Sequence, residues 1–290
     1  MSRDPRTAGP RPPFPRQKQP PPGTTGSVHP KPDHGEITYQ GSNRFPGCAV
    51  VVTGGDSGIG RAVSLAFARE GADVLIAYLE EHEDAKESAR WVEHEGRRAV
   101  LVAGDVSHES HCEKIISTAM ERFGRIDVLV NNAAFQRTHE KLEDFSAEEI
   151  QRTFSVNIES MFYLSKSAAV HMSPGSAIIN TASVQADQPS PQLLAYAATK
   201  GAIANFTAGL AELLAKRGIR VNAVAPGPIW TPLIPATMPA DKAANFGANT
   251  PLGRPGQPAE VAPAFVFLAS DQASYITGAV LPVTGGHSML

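Results

Sequence analysis

A tyrosine and a lysine four residues apart are the first pair in this sequence whose types and spacing could do chemistry together. Tyr196 and Lys200 begin and end the run Tyr-Ala-Ala-Thr-Lys. On a helix, residues i and i+4 share one face, so the Lys200 ammonium would lie near the Tyr196 phenol. A nearby cation lowers the pKa of a phenol from its usual value of about 10. Such a phenol could exchange a proton with a substrate oxygen, although helices also carry such pairs by chance.

Two further polar residues precede this pair. Ser183 follows the apolar run 177–181, and a hydroxyl beyond the end of a strand can donate a hydrogen bond to a carbonyl oxygen. It could equally be a loop residue that caps the next segment. Asn157 lies in the middle of a helical pattern among apolar neighbours, where a buried amide needs hydrogen-bond partners. Its alternative is an ordinary helix asparagine whose hydrogen bonds are satisfied.

A glycine-rich turn follows the first apolar, β-branched run. Residues 49–53 lead directly into Gly-Gly-Asp-Ser-Gly-Ile-Gly at 54–60, and a helical pattern starts there. Glycines allow a tight turn and a close approach of the backbone to a ligand. The N-terminus of the following helix offers N–H donors and partial positive charge to a pyrophosphate. The order strand, turn, helix therefore favours a dinucleotide site over a simple tight connection.

The elements that must position these residues alternate along the chain. Short apolar runs predict strands, and the amphipathic stretches between them predict helices. The strands are expected at 49–53, 74–78, 99–103, 127–130, 177–181, 219–224 and 279–283, and the helices near 58–70, 83–95, 108–123, 147–171, 195–217 and 258–269. This alternation predicts an α/β fold, a single Rossmann-fold domain with a doubly wound parallel sheet and helices on both faces.

Composition excludes several classes of protein. The net charge of −3 over 290 residues provides no global positive field, so neither nucleic acid nor an anionic membrane is an expected partner. No apolar run approaches the roughly 20 residues that span a bilayer, and no secretory signal is evident. The two cysteines, Cys48 and Cys112, lack the spacing of a metal site, and we expect no disulfide. A cytoplasmic protein without a metal is the prediction.

Proline, glycine and polar residues dominate the first 45 residues. On its own, such a segment cannot bury enough apolar surface to offset the entropy lost on ordering. The segment 1–45 is therefore either a flexible, polyproline-like tail or an extended arm that lies across a neighbouring subunit, and the catalytic domain is expected to occupy 46–290.

Across residues 46–290 the chain resembles the short-chain dehydrogenase/reductase family. The motifs that carry the resemblance stand in the family's order: Thr-Gly-Gly-Asp-Ser-Gly-Ile-Gly at 53–60, Asp105-Val106, Asn-Asn-Ala-Ala at 131–134, Asn157, Ser183, Tyr196 with Lys200, and Pro-Gly-Pro-Ile-Trp-Thr at 226–231. The family has a glycine where Ala134 stands here, a departure that does not touch the catalytic residues.

The resemblance implies an NAD(P)-dependent enzyme that interconverts an alcohol and a carbonyl compound by hydride transfer. It implies that Tyr196 is the general acid and base and that Lys200 lowers the pKa of Tyr196 and binds the nicotinamide ribose. Ser183 would polarise the substrate carbonyl, and Asn157 would support a proton relay through water. The implied cofactor contacts are Gly54, Asp56, Ser57, Gly58, Ile59, Gly60, Tyr78, Leu79, Asp105, Val106, Asn131, Ala133, Tyr196, Lys200, Pro226, Gly227, Ile229 and Thr231.

The choice between NAD and NADP depends on the end of the second strand. No acidic residue stands at the usual ribose-binding position, which Tyr78 and Leu79 occupy, but Glu80 and Glu81 follow. Glutamates would repel a 2′-phosphate, so the sequence favours NAD. Arg61, just after the last glycine of the turn, could face a phosphate or solvent.

A closer resemblance concerns a subgroup with a proline-rich N-terminal arm, described as general stress proteins or oxidoreductases. The shared pieces are Pro-Lys-Pro-Asp-His-Gly-Glu at 30–36, Tyr-Gln-Gly-Ser at 39–42 and the glycine-rich turn. This resemblance implies an ordered arm and a homotetramer. In the family, the long helices near 147–171 and 195–217 pack against a second subunit.

The substrate is a small molecule that the sequence does not identify. The proline-rich segment 231–257 is expected to cover it, and Gln185 and Gln188 could bind a hydroxylated compound. A sugar, a polyol, an aldehyde or a ketone would fit. Two rival functions are a non-catalytic dinucleotide-binding scaffold and a 3-oxoacyl-carrier-protein reductase. The second needs a basic patch that binds an acidic carrier protein. The only candidates for that patch are Arg137 and Lys141, and neighbouring acidic residues offset their charge.

Overall fold

The structure, a computed structural model, describes residues 4–289. Seven parallel strands form one sheet in the order β3-β2-β1-β4-β5-β6-β7. The strands are β1 (Ala49–Thr53), β2 (Asp73–Tyr78), β3 (Ala99–Ala103), β4 (Val128–Asn131), β5 (Ala177–Thr181), β6 (Arg220–Pro226) and β7 (Val280–Val283). Each coincides with an expected strand to within two residues. The order reverses between β1 and β4, where ligands bind in open α/β sheets.

Helices cover both faces of the sheet. They are α1 (Gly58–Arg69), α2 (His82–His94), α3 (Glu109–Phe123), α4 (Ala147–Phe154), α5 (Ser160–Ala169), α6 (Leu194–Ala215), α7 (Leu233–Thr237), α8 (Ala240–Ala244) and α9 (Pro258–Ala269). Val50 of β1 is buried in an apolar cluster with Phe67 of α1 and Phe265 of α9. Its neighbour Val51 is buried in a second cluster with Ile115 of α3. Because successive strand residues point to opposite faces, these two clusters are the two halves of the core. The predicted fold is confirmed.

The helix expected over 147–171 is interrupted. Helices α4 and α5 are joined by a π-helical turn at Ser155–Glu159, in which the Ser160 N–H bonds to the Ser155 carbonyl five residues earlier. Asn157 lies in this turn. Such insertions are frequent at functional sites, and the apolar pattern did not predict this one.

The N-terminal arm, taken here as residues 4–45, packs against its own chain. The side chains of Phe14 and Val28 are buried in one cluster with Trp230, and the rings of Phe14 and Trp230 are 4.4 Å apart between centroids. The Trp230 indole N–H donates to the Pro30 carbonyl at 2.8 Å. The apolar side chains of the arm are therefore buried against the domain, because the arm has no core of its own. Residues 1–3 of the predicted arm lie outside the described residues, and contact with a neighbouring subunit stays a prediction.

Two short helices, α7 and α8, stand in the segment 231–257, which was expected to be a substrate-covering loop. Within residues 4–289, no helix combines the length and the apolar character needed to cross a membrane.

Candidate functional site

The glycine-rich turn between β1 and α1 has a shape that side chains would prevent. A Cβ atom at Gly60 would lie 1.8 Å from the Gly54 carbonyl oxygen, so this glycine permits α1 to pack directly on the turn. Gly58 starts α1 with a φ of +51°. The Thr53 hydroxyl accepts from the N–H groups of Asn132 and Ala133 at 2.9 and 3.0 Å, which ties the turn to the end of β4.

A cleft of about 230 Å³ opens at the carboxyl ends of β1, β2 and β4. It is lined by these implied cofactor contacts: Gly54, Asp56, Ser57, Gly58, Ile59, Tyr78, Leu79, Asp105, Val106, Ala133, Tyr196, Lys200 and Thr231. The α1 N-terminus supplies N–H donors, the glycines leave room for backbone contact, and the walls are largely apolar. These residues fit a dinucleotide.

Asn131 and Gly60 do not line the cleft, although both are implied cofactor contacts. The Asn131 side chain is 1% exposed and donates to the Asn180 carboxamide oxygen at 2.9 Å, inside the sheet. Its neighbour Asn132 lines the cleft instead. The reason is the strand period of two, which turns adjacent side chains to opposite sides. Asn131 thus supports the strand and does not line the cleft, where the resemblance had implied a cofactor contact.

Arg61 faces neither a phosphate nor solvent, so both expectations for it are wrong. Its side chain is 1% exposed. The guanidinium donates to the Asp84 carboxylate at 3.1 Å, to the Ser88 hydroxyl at 3.0 Å and to the Asp56 carbonyl at 2.9 Å. A buried arginine with these partners holds α1 against α2 and supports the turn from behind.

Acidic side chains surround the adenosine end of the cleft. Glu81 and Asp56 both line it, whereas Glu80 is exposed and does not. Burial raises the pKa of Asp56 to about 6, so this carboxyl is mainly ionised at neutral pH. Burial also raises the pKa of Glu81. Arg152 lines the same end, but it is hydrogen-bonded to the Asp105 carboxylate and the Ser107 hydroxyl.

Tyr196 and Lys200 meet on the first turns of α6, as their spacing predicts. The Lys200 ammonium lies 5.2 Å from the centre of the Tyr196 ring and donates to the Thr181 carbonyl at 2.7 Å. Burial lowers the pKa of Lys200 to about 7. Burial also raises the pKa of Tyr196 to about 12, and the Ser183 hydroxyl acts against this rise. The lowering of the phenol's pKa by Lys200, which the resemblance implies, stays a prediction.

Ser183 lies directly after β5, next to Tyr196. Its hydroxyl oxygen accepts from the Gln185 N–H at 3.2 Å, which leaves the hydroxyl proton available for donation. Ser183 and Tyr196 both line a second cavity of about 150 Å³. That cavity also contains three of the implied nicotinamide-end contacts, Pro226, Gly227 and Ile229.

The Asn157 carboxamide is fully buried and fully engaged. Its oxygen accepts from the Phe135 N–H at 2.7 Å, and its nitrogen donates to the Phe135 carbonyl at 2.9 Å and to the Thr199 hydroxyl at 3.1 Å. Asn157 thus fixes the chain after β4 against α6, next to Lys200. Its part in a proton relay stays a prediction.

Only one of the two glutamines considered for substrate binding lines the second cavity. Gln185 lines the cavity, whereas Gln188 is turned outward and donates to the Ser288 carbonyl at 2.6 Å. The other lining residues include Gln136 and these apolar side chains: Val184, Leu193, Leu233, Ile234, Met238 and Phe246. Leu233, Ile234, Met238 and Phe246 come from the covering segment, which therefore does bound the cavity.

Several residues that line the cleft were not predicted from the sequence. They include Pro22, Gly23, Ala77, Gly104, Asn132, Phe135, Arg152, Val156, Thr181 and Pro232. Asn132 could have been found from the strand period, since it alternates with the buried Asn131. Pro22 and Gly23 had no local signal, because their place depends on contacts with residues about 200 positions later.

Comparison with known proteins identifies the family. A family model described as enoyl-(acyl carrier protein) reductase matches residues 54–288. General stress protein 39 of Bacillus subtilis is 50% identical over 266 residues, which cover 92% of this chain and 93% of that protein. The chain belongs to the short-chain dehydrogenase/reductase family. It is therefore an NAD(P)-dependent oxidoreductase, as expected.

Two further similarities concern the cofactor. A Burkholderia cenocepacia short-chain dehydrogenase, solved in complex with NADP, is 33% identical with a TM-score of 0.78 and covers 84% of this chain and 98% of its own. The NADPH-dependent aldehyde reductase 1 of Arabidopsis thaliana is 45% identical, covering 91% of this chain and 94% of that protein. Both names mention the phosphorylated cofactor, so the expected preference for NAD receives no support from them.

Proposed function

We propose that this short-chain dehydrogenase/reductase interconverts a small alcohol and its carbonyl compound. The observation that carries the proposal is the position of Tyr196, which lines both the dinucleotide cleft and the second cavity. Ser183 borders the same cavity, and Lys200 borders the cleft. A carbonyl group in the cavity would thus meet two hydroxyl groups, while a dinucleotide in the cleft would lie beside it.

The chain's own residues would bind, orient and exchange a proton. The nicotinamide supplies or accepts the hydride when it is bound. The Ser183 hydroxyl donates to the substrate oxygen and holds it against Tyr196. Tyr196, whose pKa lies well above neutral pH, gives a proton to that oxygen during reduction. Lys200 lies behind Tyr196 and would bind the nicotinamide ribose.

The lining of the second cavity favours an uncharged substrate. It has apolar side chains together with Gln136, Gln185, Ser183 and Tyr196, and no lysine, arginine, aspartate or glutamate among the described residues. A carboxylate placed there would lose its hydration without gaining a cation.

A matched pair of aldehydes tests this substrate class. We expect butanal to be reduced about a hundredfold faster, in kcat/KM, than succinic semialdehyde, because only the second would bring a carboxylate into the cavity. Loss of NAD(P)H absorbance gives both rates. Equal rates would contradict the uncharged-substrate proposal, and no turnover on any aldehyde, ketone, sugar or polyol would favour a non-catalytic scaffold.

We also propose that the enzyme prefers NAD. Asp56 and Glu81 line the adenosine end, Arg152 there is paired with Asp105, and Arg61 is buried behind the turn. Two unit charges about 8 Å apart repel by about 2 kcal/mol at an effective dielectric constant near 20. A 2′-phosphate at this end would thus cost more than tenfold in affinity.

Titration with NADH and NADPH, followed by nicotinamide fluorescence, tests this preference. We expect the Kd for NADPH to exceed that for NADH at least about tenfold and Glu81→Gln to reduce this ratio at least about threefold. Glu80→Gln is the matched control, because Glu80 is exposed and outside the cleft. Tighter binding of NADPH to the wild-type protein would refute the preference and would instead agree with the relatives whose names mention NADPH.

The family model's description raises the alternative of an acyl-carrier-protein substrate. Two basic side chains that could contribute to a docking patch lie beside carboxylates, which weighs against an acidic carrier. Arg137 lies 3.9 Å from the Glu149 carboxylate, and Lys242 lies 3.1 Å from that of Glu140. Lys141, the other candidate, is exposed and has no ion pair among the described residues. A free small molecule is the substrate that these charges favour.

A homotetramer in the cytoplasm remains our proposal for the assembly and location. Phe162 on α5 is 55% exposed and packs against Phe206 of α6, with the tilted rings 4.4 Å apart between centroids. Met161 and Ile203 on the same helices are buried in the core. A partly exposed aromatic pair of this kind supports a subunit interface on α5 and α6.

A further inference from the structure

The N-terminal arm is anchored on one side of the dinucleotide cleft. The Thr25 N–H donates to the Asp84 carboxylate of α2 at 2.8 Å, and this hydrogen bond is buried. The other oxygen of the same carboxylate accepts from Arg61. Because Arg61 and Asp84 are both buried, the anchor belongs to the rigid frame of the adenosine side.

The arm is also anchored on the opposite, substrate-covering side. The Gln19 N–H donates to the Pro235 carbonyl at 3.1 Å, and the Gln19 carboxamide donates to the Pro232 carbonyl at 3.3 Å. Nearer the N-terminus of the arm, the Phe14 N–H donates to the Ala244 carbonyl at 2.7 Å. Residues 19–25 therefore run from α7 to α2 and cross the cleft between them.

The middle of this crossing forms part of the cleft wall. Pro22 and Gly23 both line the cleft. Gly23 has a φ of +90°, and a Cβ atom there would lie 2.7 Å from the Pro232 carbonyl oxygen. Pro232 is also next to Gly58, since its Cδ atom lies 3.8 Å from where a Gly58 Cβ would be. The Pro22–Gly23 turn therefore lies near the α1 N-terminus, the end suited to a pyrophosphate.

We propose that Pro22 and Gly23 are part of the dinucleotide-binding site, and that the arm holds the bound cofactor against the α1 N-terminus. The proposal rests on the proposed placement of the dinucleotide in this cleft. Its consequence is reciprocal, because two parts that contact each other in the bound state must stabilise each other equally. Displacing the arm should weaken cofactor binding, and bound cofactor should hold the arm down.

Gly23→Ala tests the first consequence. The added Cβ meets a backbone oxygen and a backbone conformation that alanine rarely adopts, so residues 22–23 must move from the cleft. We expect the Kd for NADH to rise at least fivefold. Gly26→Ala is the matched control, since a Cβ there meets nothing within 4 Å, and its Kd should stay within twofold of the wild-type value.

Limited trypsin digestion of the wild-type protein tests the reverse consequence and does not depend on a variant that folds. Arg16 and Lys18 are exposed and lie beside the crossing. Saturating NADH should slow cleavage after both residues at least fivefold, while cleavage after the exposed Lys216 at the end of α6 keeps its rate.

Unchanged NADH affinity of a folded Gly23→Ala, or unchanged cleavage of the arm, would overturn the proposal while leaving the dinucleotide site itself intact. If the wild-type protein binds neither NADH nor NADPH, the proposed function falls together with this inference.

Discussion

Tyr196→Phe is expected to lower kcat for carbonyl reduction by about a thousandfold while leaving the Kd for NADH within twofold of the wild-type value. The change removes one oxygen and keeps the ring that borders both cavities. General acid catalysis by a positioned side chain contributes about 10²- to 10⁴-fold to the rate. Steady-state kinetics and fluorescence titration measure the two effects separately.

The control for this variant is Tyr275→Phe, because the Tyr275 side chain is completely exposed and outside both cavities. It should change neither quantity. A Tyr196→Phe enzyme with a near-wild-type rate would contradict the assigned proton donor. An equal loss of cofactor affinity would mean that the phenol acts in binding and not in the proton transfer.

Lys200→Met is expected to remove most activity and yet to stabilise the folded protein at neutral pH. Lys200 is 1% exposed, and burial lowers its pKa from 10.5 in an exposed lysine to about 7. The lowered pKa corresponds to a destabilisation of about 4 kcal/mol at pH 7, so removing the buried ammonium should stabilise the fold by about 3 kcal/mol after about 1 kcal/mol is subtracted for the Thr181 carbonyl that loses its donor. Loss of the ribose contact should also weaken NADH binding roughly tenfold.

The pH dependence of this stabilisation has a defined sign. Between pH 7 and 10.5 the unfolded chain holds a proton on Lys200 that the folded chain has released, so wild-type stability rises with pH in that window. The advantage of Lys200→Met is therefore largest at and below pH 7 and shrinks toward pH 10. Urea unfolding at pH 7 and pH 9.5 measures it, with the exposed Lys216→Met as the control. If Lys200→Met were less stable than the wild-type protein at pH 7, or if the difference in stability did not change with pH, the lowered pKa of the buried Lys200 would be contradicted.

The order of elements and the catalytic residues were predictable because they depend on local patterns. The strands β1 and β5 begin with apolar runs, at 49–52 and 177–179, which is typical of parallel strands buried on both faces. Tyr196 and Lys200 are brought together by helical spacing alone. Ser183 lies beside them because Ser183 and the start of α6 both follow the carboxyl end of β5.

Arg61 and Lys200 show what the sequence could not provide. A lone arginine beside a glycine-rich turn suggests a phosphate ligand, and only the fold shows Asp84 and Ser88 reaching it from α2. Proximity of Lys200 to Tyr196 was predicted correctly. The raised pKa of Tyr196 was not predicted, because it comes from burial, which depends on the whole tertiary structure.

The N-terminal arm was the least predictable part. Its composition alone indicates a tail, since nothing within it forms a core. Phe14 and Val28 become buried only because Trp230, about 200 residues later, presents a surface for them. A pattern within a short window cannot reveal such a partner.

Transfer of a labelled hydride tests the central claim most directly. NADH with both hydrogens at the reactive carbon of the nicotinamide replaced by deuterium is incubated with butanal and the wild-type protein, and the alcohol is analysed by mass spectrometry. We expect one deuterium per alcohol molecule with the wild-type protein, and at most a trace of labelled alcohol with Tyr196→Phe over the same time. Unlabelled alcohol, no alcohol with any member of a broad panel of carbonyl compounds, or equal labelling by both proteins would contradict it.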